Sequence, residues 1–226
     1  MAYIKWEEVD EQTKQRLEKL TATPRKGYWR KKRIFDIAVS STALIVLFPF
    51  LLVVGLVIFI DDPHGSCIFK QKRIGRHGKP FTLYKFRTMV SDAEKIRHQL
   101  KKKNEMNGPV FKVRNDPRVT RVGRFLRQSG IDELPQLANI LRGEMSMVGP
   151  RPPLPEEVAE YNDYQRLRLT VTPGLTCYWQ TSLRRNDVSF AQWVEMDLEY
   201  IEKRSMWLDF QLIFRTAGSV IRRDGC

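Results

Sequence analysis

From Ile37 to Ile60 the chain carries no charged side chain, a run of about 24 residues, and about 20 apolar residues in a helix suffice to cross a bilayer core. Basic clusters stand on both sides of it: Lys31, Lys32 and Arg33 before, Lys70, Lys72 and Arg73 after. Lys and Arg close to a span are held on the cytoplasmic side, so the charge pattern places both ends on that face. Pro49, near the middle, removes one backbone donor and crowds the preceding turn. The sequence therefore predicts a re-entrant membrane helix hairpin that dips into one leaflet and returns. A single span is the alternative, because membrane helices tolerate proline. The run starts too far from Met1 and is too long for a signal-peptide core, and no small-residue cleavage site follows Ile60.

With 226 residues, one membrane element and one compact domain fit, but not a second full domain. The expected division is 1–30 as an N-terminal accessory helix and linker, 31–62 as the re-entrant membrane helix hairpin, and 63–226 as a cytoplasmic, interfacial domain. A formal net charge of +13 calls for an anionic partner: nucleic acid, lipid headgroups or a phosphorylated substrate. The apolar run favours the last two, and no nucleic-acid motif accompanies the charge. Cys67, Cys177 and Cys226 are odd in number and unpaired in spacing, so no disulfide frame is expected. His64, His77 and His98 are scattered, which argues against zinc.

Trp6 to Leu20 predicts a charged, weakly amphipathic helix with Val9, Leu17 and Leu20 on one side. Cys67–Lys72 and Pro80–Phe86, joined through Gly75 and Gly78, predict a small β-hairpin. A polar helix is expected over Ser91–Met106 and a loop over Asn107–Asp116. Leu134, Leu137, Ile140 and Leu141 fall at helical spacing from Asp132 to Arg142, with Gly143 as the stop. Gly149 to Pro153 is held extended by its prolines. Pro173-Gly174 reads as a tight turn, type II if Gly174 takes positive φ. Trp207, Phe210, Ile213, Phe214 and Ala217 make a helical stripe that belongs either in the core or in the bilayer interface. The fold class is thus α+β, mainly helical, with the membrane hairpin, the β-hairpin and amphipathic interfacial helices around a cytoplasmic active site.

Asp132 and Glu133 open a helix behind Ser129 and Gly130, where acidic side chains complement the helix dipole. Arg118, Arg121, Arg124, Arg127 and Arg151 exceed what a charge-balanced surface needs, and a phosphorylated substrate at the helix start would satisfy them. Arg151, between Pro150 and Pro152, has a stiff backbone suited to aiming a guanidinium at phosphate; an incidental Arg in a proline-rich linker is the competing reading. Lys85 and Arg87 make one side of the second strand basic. Asp197, among Glu195, Glu199 and Glu202, reads as part of a solvated helix face.

Five segments in order, Lys32-Arg33-Ile34-Phe35-Asp36, Tyr84 to Met89, Ile131 to Leu137, Met147 to Pro152 and Thr172 to Thr176, resemble the bacterial sugar transferases, the monotopic polyprenyl-phosphate phosphoglycosyl transferases. The resemblance spans roughly residues 31–223. It implies transfer of a sugar 1-phosphate from a UDP-sugar to polyprenyl (undecaprenyl) phosphate on the cytoplasmic face of the inner membrane, initiating glycoconjugate or exopolysaccharide assembly. Asp132 would be the nucleophile, forming an aspartyl-phosphosugar and releasing UMP, with Glu133 assisting. Lys85, Arg127, Arg151, Arg184 and Asp197 would bind substrate. A magnesium ion (Mg2+), with Asp132 as its ligand, would bridge the diphosphate. The expected partners are the donor, the acceptor and membrane lipids, with no nucleic acid; oligomeric state is open. Three positions depart from the pattern: Phe48 where some members place Ser, Cys177 where Gly is usual, and Leu183-Arg184-Arg185 where Gly-Arg is usual. A multi-span amino-terminal extension, found in larger members, is not expected.

Overall fold

The structure, a computed structural model, describes residues 9–21, 27–93, 116–179 and 188–221. All but the first three residues of the helix expected over Ser91–Met106, and most of the loop up to Asp116, lie outside the described residues, as does Arg184.

The chain opens with α1 (Glu11–Thr21), started by Asp10, which accepts from the Thr13 amide at 2.9 Å and the Thr13 hydroxyl at 2.8 Å. Val9 and Leu20 are buried in the main apolar cluster, so the expected accessory helix is part of the catalytic body's core. The apolar run forms α2, a helix from Tyr28 to Asp61 of 34 residues with Pro49 inside it. It is the one helix among the described residues long and apolar enough to cross a membrane. The expected hairpin is not divided into two helices at Pro49.

Both ends of α2 are tied to the globular part. Lys32 pairs with Asp209 at 2.7 Å, and Tyr28 donates to the same carboxylate at 2.9 Å. Arg33 donates to the carbonyls of Ile140 and Leu141 at 2.5 and 2.6 Å, and Asp36 accepts from the Met147 amide at 3.0 Å. Beyond Pro49, Val54 and Ile58 pack on Phe86 and Leu126, and Asp62 accepts from Arg87 at 3.0 Å and from the Ser91 hydroxyl at 2.6 Å. Between these anchors Ile45, Val46 and Phe48 are 75, 68 and 59% exposed.

The predicted β-hairpin is present as β1 (Ile68–Ile74) and β2 (Pro80–Phe86), antiparallel with Arg73 opposite Phe81 and Phe69 opposite Lys85. Thr120 caps α3 (Arg121–Ser129) by accepting from the Gly123 amide. Gly123 is required there: a Cβ would lie 2.0 Å from the Thr88 carbonyl oxygen. Gly130, at φ 67, ends α3 and lets the chain restart in a 3-10 turn, Ile131–Gln136, that runs into α4 (Leu137–Arg142), stopped by Gly143 at φ 80. Pro135 lies inside the 3-10 turn, at the junction with the regular helix.

Next come β3 (Ser146–Val148), α5 (Pro155–Ala159), α6 (Asp163–Arg166) and β4 (Gly174–Thr176), with β3 and β4 parallel, Ser146 opposite Gly174. Gly174 is not at positive φ, so the expected type II turn is corrected: a Cβ on Gly174 would meet the Gly149 nitrogen at 2.0 Å, and glycine is needed for the close approach. The core closes with α7 (Phe190–Lys203) and α8 (Met206–Ile221). The α8 stripe is divided between core and surface. Ile213 packs against the main apolar cluster and Phe210 meets Phe35 edge-on at 5.0 Å, while Trp207 and Phe214 point outward, 71 and 74% exposed.

Because Lys32 and Asp209 are both buried, removing one strands the other. Lys32→Met should lower stability in detergent by about 3 kcal/mol, and Lys32→Met/Asp209→Leu should regain most of it. Equilibrium unfolding of the two variants checks this.

Candidate active site

Asp132 and Glu133 occupy the first turn of the Ile131–Gln136 element, where it crosses β2. Asn139, fully buried one turn into α4, fixes that crossing: its amide donates to the Thr82 carbonyl at 2.7 Å and its side-chain oxygen accepts from the Tyr84 amide at 3.1 Å. A polar side chain thereby completes β2's edge and sets the helix register against the strand. Lys85 then meets both acids, 2.6 Å from Glu133 and 3.9 Å from Asp132.

Asp132 is buried and Glu133 half-buried. Burial pushes the Asp132 carboxyl up to about 6; Lys85 pulls against that shift and Glu133 adds to it. The carboxylate is thus poorly hydrated but ionised at neutral pH, held beside a cation. Such a group is a stronger nucleophile than a solvated carboxylate.

Arg151 lines the same cleft as Lys85 and Glu133, together with Arg73, Leu83, Gln136, Pro152, Gly174, Leu175 and Cys177. Its backbone is stitched down on every side. The Pro150 carbonyl accepts from Gly174, the Arg151 carbonyl from Arg168, the Pro152 carbonyl from Arg73 and the Pro153 carbonyl from Ile74. The Arg151 guanidinium lies over Trp193, 5.3 Å from the ring centre.

Arg127 donates to the Thr88 hydroxyl at 2.9 Å at the end of the β2 strand motif, near enough to pull on the Asp132 carboxyl. Asp197 is placed differently from its expected role. It is not on a solvated face but buried on α7, hydrogen-bonded to Arg168, and the charge run around it does not extend to its side of the helix. Burial pushes its carboxyl up against the pull of Arg168. Through Arg168, which also lies 5.7 Å from the Trp193 ring, Asp197 braces the platform under Arg151. The arginine crowd also divides. Arg118 is paired with Asp116 at 2.6 Å, Arg121 and Arg124 are exposed on α3, and only Arg127 and Arg151 approach the acids.

The described residues include no group of three or more His, Cys, Asp or Glu able to hold a metal by themselves. Asp132 and Glu133 nevertheless offer hard oxygen donors at the cleft, which fits the way magnesium binds through one or two carboxylates plus substrate phosphates.

Residues 27–223 match the family model described as bacterial sugar transferase. The chain belongs to the bacterial sugar transferase family. It is 44% identical over 199 residues to the exopolysaccharide production protein ExoY of Sinorhizobium fredii, covering 86% of this chain and 87% of that one. It is 42% identical over 194 residues to the galactosyl transferase CpsE of Streptococcus agalactiae, covering 86% of this chain and 43% of CpsE. The undecaprenyl-phosphate galactose phosphotransferase of Salmonella typhimurium is 41% identical over 202 residues, 86% of this chain and 41% of the relative. The chain therefore spans less than half the length of the latter two.

Asn139, Arg168 and Arg73 were not among the residues expected from sequence. Asn139 had one legible signal, a polar residue inside an apolar helical stripe; the other two had none.

The Asp132 carboxyl should titrate near pH 6 in a carbon-13 NMR experiment. Lys85 holds that value down, so Lys85→Met should move it further up; a midpoint near 4 in both proteins would contradict this electrostatic picture.

Proposed function

We propose that this bacterial sugar transferase moves a sugar 1-phosphate from a UDP-sugar to polyprenyl (undecaprenyl) phosphate through a covalent intermediate on Asp132. The observation that carries this reading is the buried Asp132 carboxylate beside Lys85, which with Glu133 lines a cleft that also holds Arg73 and Arg151. The names of two relatives, the undecaprenyl-phosphate galactose phosphotransferase and the UDP-glucose:undecaprenyl-phosphate glucose-1-phosphate transferase of Escherichia coli, support the same donor and acceptor chemistry.

In the first half-reaction an Asp132 oxygen attacks the β-phosphorus of the donor. The bond from that phosphorus to the bridging oxygen breaks, and UMP leaves with the electron pair. In the second, an oxygen of polyprenyl phosphate attacks the same phosphorus and the carboxylate leaves, giving polyprenyl diphosphate-sugar. Two steps let one carboxylate meet two bulky anions in turn. Lys85, Arg127 and Arg151 offset the charge that collects as donor and carboxylate approach, with Arg184 expected to join them. Glu133, hydrogen-bonded to Lys85, keeps that ammonium oriented and can hold a proton at its free oxygen. A magnesium ion, held by Asp132 with Glu133 and the donor diphosphate, would neutralise phosphate charge.

The acceptor is a lipid, and α2 supports a reading of how the site meets it. Residues before Pro49 (Lys32, Arg33, Asp36) and after it (Val54, Ile58, Asp62) contact one globular body, whereas a straight 34-residue helix would run about 51 Å. Anchors at both ends with an exposed apolar middle support a re-entrant element that enters and leaves by the cytoplasmic face of the inner membrane. Outward-facing Trp207 and Phe214 on α8 and Phe125 on α3 suit the interface around it.

Two experiments test the reading. Purified enzyme in detergent with polyprenyl phosphate, magnesium and a panel of UDP-sugars should release UMP, and Asp132→Asn should cut release by about 1,000-fold or more while the protein still folds; UMP release at the wild-type rate from that variant would refute the nucleophile. In a cysteine-free background, Lys31→Cys and Lys70→Cys should both be labelled by an impermeant thiol reagent only from the cytoplasmic side. Labelling of one from each side would establish a single span instead.

A further inference from the structure

Arg73 is a buried guanidinium, 7% exposed, on the face of the β-hairpin that it shares with Leu83 and Lys85. Its partners are all neutral: Nε and Nη2 donate to the Gln71 side-chain oxygen at 3.1 and 2.7 Å, and Nη1 donates to the Pro152 carbonyl at 2.9 Å. Arginine has five N–H groups in a planar fork, so one on each terminal nitrogen is left over. Arg73 lines the cleft with Lys85, Glu133 and Arg151.

A buried cation held only by neutral acceptors is costly, and the cost grows when a second guanidinium stands nearby. Burial and the charge of Arg151 pull the Arg73 guanidinium down to about 10, against the weaker opposing pull of the Glu157 and Glu133 carboxylates, neither of which is hydrogen-bonded to it. Lys85 is already matched by Glu133, so among the residues lining the cleft Arg73 and Arg151 are cations with no lining acid left to match them, and Glu157 acts on Arg73 from outside that lining. The hold on Pro152 also links Arg73 to the backbone beside Arg151.

We infer that Arg73 is a substrate-binding residue whose two remaining N–H groups take a phosphate oxygen of the reacting substrates, forming with Arg151 a two-arginine clamp across the cleft from Lys85. The inference rests on the transferase reading above and adds to it a residue on the first strand. The phosphate can come from the donor's diphosphate or from the acceptor lipid, and the measurement distinguishes them.

Full-length enzyme in detergent serves for the test, with UDP as the donor-side probe. Arg73→Gln should weaken UDP binding, read by calorimetry without acceptor, by about 10- to 100-fold, with Arg73→Lys intermediate because it keeps the charge but loses the fork. If UDP affinity holds while the KM for polyprenyl phosphate rises by that factor, the clamp holds the acceptor's phosphate. Unchanged values for both, in a variant that still folds, would overturn the inference while wild-type UMP release leaves the transferase reading intact. A wild-type protein that releases no UMP removes both. Should the variants fail to fold, a structure of the wild type with UDP and one with acceptor decide it: a phosphate oxygen within about 3.2 Å of an Arg73 terminal nitrogen supports the clamp, and a phosphate seated on Lys85 and Arg151 alone contradicts it.

Discussion

Taking one carboxylate out of water while keeping it charged is the constraint around which this molecule is organised. Asp132 is buried, which raises its pKa, and Lys85 keeps that rise within reach of neutral pH. The compromise depends on where a helix turn sits over a strand. Asn139 sets that position by hydrogen-bonding the free edge of β2 at Thr82 and Tyr84, and Gly130 sets the angle at which the turn begins. Neither touches the cleft, yet both decide whether the acid and the lysine meet.

In the transferase reading the same domain works at a lipid surface, and charged residues at the start of α2 tie the apolar helix to it. Lys32, Arg33 and Asp36 grip α8, the end of α4 and β3. Arg33 does so by capping the end of α4, the helix that continues from the 3-10 turn carrying Asp132. Membrane insertion and site assembly are therefore one packing problem. On the far side of α2, Asp62, held well down to about 2 by its hydrogen bonds from Ser91 and His64 and by Arg87, ties the helix exit to the strand that bears Lys85.

Much of this was legible in the sequence. The uncharged run, the β-hairpin and the helix after Gly130 follow from local periodicity and turn chemistry; the structure brings Glu133, Lys85 and Arg151 to one cleft, with Asp132 3.9 Å from Lys85. What escaped has a common physical cause. Asp197 looked solvated because its neighbours at 195, 199 and 202 are acidic, but burial is set by which side of α7 faces Arg168, a partner 29 residues away. Gly174 looked like a turn residue because local sequence cannot show that Gly149 passes within contact of it. Arg73 sat in a basic flank, where only the strand register reveals that it points into the cleft.

The central claim is that Asp132 carries the phosphosugar between donor and acceptor. Mixing the enzyme with UDP-sugar alone, quenching in acid and measuring intact and peptide masses tests it most directly. The account predicts one sugar phosphate per chain, located on the peptide containing Asp132 and lost on adding polyprenyl phosphate. An adduct on another residue, or product formed with no adduct at any time during turnover, would contradict it.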